Sequence, residues 1–117
     1  MDKLTLMSGI FEGGAFETLD VSNTAKTLTS TTYSKTGKTH VKAVCYVERA
    51  DIRYTYDGST APTTGVNASG IALSDAVGIV AVSGSTITMF GPTNVENLNM
   101  IRNASTDAKV QVMYEYC

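Results

Sequence analysis

A chain of 117 residues with a formal net charge of -2 at pH 7 has room for one domain and no excess of cations to neutralise phosphates, so neither a multidomain build nor a dedicated nucleic-acid face is expected. The longest apolar run, AVGIVAV at residues 76–82, falls far short of the roughly 20 residues a membrane-spanning helix requires. The N-terminal MDKLTLMSGIFEGGAF lacks the apolar core and small-residue cleavage site expected of a signal peptide, and Cys45 and Cys117 are expected to be free thiols.

Thr, Val and Tyr are frequent, proline occurs twice, and Gly, Asn and Asp recur at short intervals, which is the composition of strands joined by tight turns. KLTLM at residues 3–7 alternates and reads as a first strand or an arm. SGIFEGGAF, after it, is glycine-rich and reads as irregular. Residues 1–15 are therefore expected to form an extended arm, suited to reaching a neighbouring subunit, or a surface loop. In FETLDVS at 16–22, Phe16, Thr18 and Asp20 share one side while Glu17, Leu19 and Val21 share the other. AKTLTSTTY continues in the same style, and SKTGKT supplies a turn at Gly37.

The strongest strand pattern is THVKAVCYVE at 39–48, with Val41, Ala43, Cys45 and Val47 on a core face. RAD turns the chain, and IRYTYDG sets Ile52, Tyr54 and Tyr56 opposite Arg53, Thr55 and Asp57. So short a link implies either an antiparallel pair or a bend from one sheet into another. Residues 59–74 read as a loop, marked by Pro62, Gly65 and Gly70, and long for so small a domain. DAVGIVAVSG and STITMFG read as two strands about Gly84 and Ser85. Pro92-Thr93-Asn94 opens a helical turn through Asn97, LNMIR returns to strand, and AKVQVMYEYC closes the chain with Val110, Val112, Tyr114 and Tyr116 alternating against Lys109, Gln111, Met113 and Glu115. The expected fold is all-β: residues 1–117 as a single antiparallel β-sandwich or jelly-roll-like barrel of about seven or eight strands with an N-terminal arm.

Chemistry-bearing patterns are sparse. No Gly-x-Ser-x-Gly elbow is present, His40 is the sole histidine, and Asp51 and Asp57 lie on one strand segment instead of flanking a cleft. DGSTAPTTGVNASG is rich in oxygen but carries a single carboxylate and lacks the acidic spacing of a calcium loop. Neither catalytic residues nor a metal or other cofactor is expected. Tyr54, Tyr56, Tyr114 and Tyr116 could stack on a sugar or a base, or pack in a core, and packing is the expectation in a chain without tryptophan.

ADIRYTYDGSTAPTTGVNASGIAL, followed by ITMFGPTNVENLNMIRNASTDAKVQVMYEY, resembles a pattern of small structural proteins of tailed bacteriophages and prophages, over about residues 25–116. That resemblance implies a virion component assembled in the bacterial host cytoplasm. It would be a capsid decoration or cementing protein stabilising the head, or a neck or tail accessory. Its partners would be the major capsid protein or other virion proteins, and further copies of itself in a homo-oligomer. Relatives carry a Gly-His pair after the proline loop, where this chain has Gly65-Val66-Asn67, so no ligand role transfers there. The signature residues are Arg53, Tyr54, Tyr56, Asp57, Gly58, Pro62 and Arg102. Arg53 and Asp57 are expected to satisfy backbone or each other, and Arg102 to pair with Asp51 or Asp57. A glycan-binding module using Tyr54, Tyr56 and residues 59–70 is the alternative from another class.

Overall fold

The structure, a computed structural model, describes residues 12–117. Among the described residues, eight strands form two four-stranded antiparallel sheets. In chain order they are β1 (Glu12–Val21), β2 (Lys26–Thr27), β3 (His40–Glu48), β4 (Ile52–Thr55), β5 (Ile79–Ala81), β6 (Thr86–Phe90), β7 (Asn99–Arg102) and β8 (Ala108–Tyr116). Among the same residues two short helices interrupt them, α1 (Ser30–Tyr33) and α2 (Pro92–Asn97). The larger sheet runs β1-β8-β3-β6 and the smaller runs β2-β7-β4-β5. Each strand of the first half is thus paired with its counterpart from the second half, β1 with β8, β2 with β7, β3 with β6 and β4 with β5. That nested antiparallel pairing across two sheets is the jelly-roll form of the β-sandwich.

The inner faces follow the alternation of the sequence. Ala43, Cys45 and Val47 of β3, Leu19 and Val21 of β1, and Val110, Val112, Tyr114 and Tyr116 of β8 are buried against Ile52 and Met100 of the smaller sheet. Val95 and Leu98 close one end of this core. Pro92 opens α2, where its missing N–H costs no intrahelical bond, and the Leu98 N–H returns to the Asn94 carbonyl at 3.1 Å. Three residues separate β3 from β4, and they carry the chain from the larger to the smaller sheet instead of closing a hairpin. The β5–β6 turn makes the reverse passage.

Several expectations need correction. The strand pattern proposed for AKTLTSTTY survives only as the two residues of β2. The chain then turns into α1 because Tyr33 is drawn inward, its ring 5.6 Å from that of Tyr114 and its carbonyl accepting the Tyr116 hydroxyl at 2.8 Å. Of the proposed arm, residues 12–15 belong to β1, held by the long β8 ladder through a register shift between Gly13 and Ala15. Residues 1–11, including KLTLM, lie outside the described residues. β4 ends at Thr55, so Tyr56 leaves the buried face it was assigned and is 42% exposed.

The β4–β5 connection, residues 56–78, is long but internally tied. The Thr63 N–H donates to the Val77 carbonyl at 2.9 Å, Leu73 N–H to Gly65 carbonyl at 2.8 Å, and Gly65 N–H to Asn103 carbonyl at 2.7 Å. It covers the outer face of the smaller sheet, where Ile101 is buried apart from the central core.

Candidate interaction surface

The signature residues divide between holding this connection and facing solvent. Arg53, on the outer face of β4, donates from Nε to Asn103 Oδ1 at 2.8 Å and from Nη1 to the Gly78 carbonyl at 3.0 Å. It clamps the far end of the loop to β7. Pro62 is buried beside it, and a Cβ on Gly78 would lie 3.2 Å from both Pro62 and Arg53 side chains. At Gly65 a Cβ would meet Asn103 Oδ1 at 2.4 Å and the Asn103 carbonyl at 2.9 Å, so the loop approaches β7 only because that side chain is missing.

Asp57 and Gly58 form the turn out of β4. The Asp57 carboxylate accepts from the Thr60 hydroxyl at 2.6 Å, the Thr60 N–H at 2.8 Å and the Ser59 N–H at 3.1 Å. The Thr60 hydroxyl, then the Thr60 and Ser59 amides, hold its pKa down at about 2. Gly58 sits at φ 81°, a conformation that favours glycine. Arg102 pairs with neither Asp51 nor Asp57. Its Nη1 lies 2.6 Å from Asp107 Oδ1, because β7 runs directly into the turn that carries Asp107, while Asp51 caps the Ser83 N–H at 2.8 Å. Arg53 and Asp57 do not pair with each other: Arg53 holds Asn103 and the Gly78 carbonyl, and Asp57 holds Ser59 and Thr60.

Tyr54 and Tyr56 are brought together. Their rings stack at 6.3 Å and 22°, and with Thr55, Asp57, Thr60, Gly78, Ile79 and Asn94 they line an open cleft of about 380 Å³. The cleft sits between the start of β5 and the start of α2. Apolar side chains are exposed on the neighbouring strands and connection: Val77, Ile79, Val80, Val82 and Phe90, with Ile71 and Leu73 on the β4–β5 connection. Residues 76–95 contain no charged side chain. Alternation marks strands without saying which become edges, so the strand pattern does not single out this flank. The charge-free run was the available signal.

A second exposed apolar strip crosses the outer face of the larger sheet. Exposed Phe16 and Met113 and half-buried Val44 are lateral neighbours in one row, beside exposed Tyr46 in the next. It is bounded by the ion pairs Lys42–Glu115 at 3.3 Å and Lys109–Asp20 at 3.1 Å.

Groups with catalytic potential are dispersed. His40 Nε2 lies 3.1 Å from Glu96 Oε2, and its ring lies 4.5 Å from that of Tyr33. Cys45 is fully buried, and desolvation, helped by the charge of Glu17, pushes its thiol up to about 12, so it stays protonated and inert. Burial and the hydrogen bond to Glu17 likewise raise the Tyr114 phenol. Among the described residues no His, Cys, Asp and Glu cluster could hold a metal ion, and no helix is long and apolar enough to cross a membrane. No match was found among protein-family models, curated proteins or solved structures.

Proposed function

We propose that this chain is a non-enzymatic structural protein of a tailed-phage virion, a capsid decoration protein that assembles as a homo-oligomer on the major capsid protein and stabilises the head. The observation that carries this reading is the apolar flank of the sandwich, where Val77, Ile79, Val80, Val82 and Phe90 face solvent on and beside the two edge strands β5 and β6, in a segment without charged residues of its own. Contiguous apolar surface of this kind marks a protein contact. The jelly roll supports it by analogy, since that fold serves in viral shells, although it serves in lectins as well.

The test is quantitative mass spectrometry of purified particles, followed by locating the chain in their density. Copies on the order of hundreds per particle are expected for an element repeated across a symmetric shell. A few to about a dozen would instead place it at the neck or tail, and absence from particles would overturn the virion reading. The stacked Tyr54–Tyr56 pair, half open beside Asn94, favours one second reading, a glycan-binding module. Specific binding on a glycan array, lost in a folded Tyr54→Ala variant, would select it.

A further inference from the structure

A jelly roll leaves four strand edges, and in this molecule they differ in how well they are guarded. β1 is long, but its ladder slips between Gly13 and Ala15, it points the Glu17 carboxylate inward, and it carries Asp20 paired with Lys109. Bulges and inward or edge charges are the devices by which sheets refuse a further strand. β2 and β5 are only two and three residues long. β6 has none of these protections.

Its open side can be read from the ladder. The Val47 N–H donates to the Ser85 carbonyl at 2.9 Å and the Gly91 N–H to the Val41 carbonyl at 2.7 Å. Antiparallel pairing alternates, so Ser85, Ile87, Met89 and Gly91 turn their backbone groups toward β3, while Thr86, Thr88 and Phe90 turn theirs away. Among the described residues only the Phe90 carbonyl meets a partner on that side, the Asn94 amide at 3.0 Å, and a carbonyl retains a second lone pair.

We propose that a second copy of this chain pairs antiparallel with β6 about a two-fold axis at Thr88, continuing the larger sheet from one protomer into the next. Three features converge on a second copy as the occupant. A two-fold contact sets each side chain near its own mate, so a charge there would meet a like charge, and residues 76–95 carry none. Thr88 is the last member of the row Phe16, Met113, Val44, Thr88, and an axis at Thr88 extends that outward-facing, uncharged row without a break into the same residues of the second copy. The pairing also sets Phe90 opposite Thr86 of the second copy and brings the second copy's β5–β6 turn, with its exposed Val82, to the end of β6 where the Tyr54–Tyr56 cleft opens.

The pairing names the surface behind the homo-oligomer of the virion reading and rests on that reading for its biological setting, but it is tested on the isolated full-length chain. Sedimentation equilibrium at about 50 µM is expected to give an even-numbered assembly, and Thr88→Lys, with an unchanged far-UV spectrum, to weaken association at least about tenfold. Thr18→Lys, on the guarded β1, is expected to leave association unchanged. Thr88→Cys in a Cys117→Ser background, mildly oxidised, should give a covalent dimer. It settles the matter even where Thr88→Lys misfolds, because mates in a bonded antiparallel pair lie about 5.5 Å apart, within disulfide reach. A monomeric chain, association indifferent to Thr88→Lys, or no crosslink through Thr88→Cys would each overturn the pairing. Absence from particles alongside an intact crosslink would overturn only the virion reading.

Discussion

Asp57 shows how one exposed side chain can organise a turn. Its carboxylate bridges Ser59 and Thr60 by accepting from two amides and a hydroxyl, and these bonds favour the ionised form. The folded-state pKa is about 2 against an ordinary 3.8, so between those values the unfolded chain binds more protons than the native one. This contribution is complete above the unfolded value and disappears as pH falls through the folded value. Asp20, held low by its hydrogen bond to Lys109 and that residue's charge, adds in the same direction. Denaturant midpoints followed from about pH 5 to pH 2 should therefore fall less steeply for Asp57→Asn than for wild type. Parallel curves would show that the turn bonds contribute nothing to folding. The Asp57-Gly58 pair signals a turn in the sequence, but the bonds to Ser59 and Thr60 are seen only in the structure. The partner of Arg102 was not legible either, because Asp107 lies across a turn whose shape only the β7–β8 connection defines.

Among the elements, β3 and β8 were readable because their alternation matches a sheet with one face in the core. α1 was not. Ser, Thr, Thr and Tyr are indifferent helix formers, and the turn exists because burying Tyr33 against Tyr114 and Tyr116 outweighs local preference. The β4–β5 connection is likewise a product of tertiary contact. Its length was plain, but its closure over Ile101 depends on the Arg53 clamp. Arg53→Met keeps the aliphatic stem and leaves Asn103 Oδ1 and the Gly78 carbonyl without their donor, and it should cost about 2 kcal/mol in urea unfolding. Thermolysin should then cut within residues 56–78 faster than in wild type. Equal cleavage rates would mean that the loop is held by its other bonds alone.

The whole molecule depends on both sheets sharing one core. Ile52 is fully buried in the smaller sheet and belongs to the same cluster as Val112 and Tyr114 of the larger. Ile52→Ala should lower stability by about 2–5 kcal/mol through lost burial and a residual cavity. Tyrosine fluorescence and far-UV circular dichroism should report coincident transitions, as one cooperative unit requires. Separate transitions would mean that the sheets unfold independently.

Composition and alternation by themselves determined an all-β chain, its strongest strands, the faces they bury and the position of its long loop, because these are local properties with a period of two. Tertiary structure alone decided that the strands nest as a jelly roll, that Tyr56 leaves the core, that Arg53 clamps a loop, and that β6 lies at an edge. Those features depend on which strands become neighbours across many residues, and the same alternating pattern is compatible with a central strand or an edge.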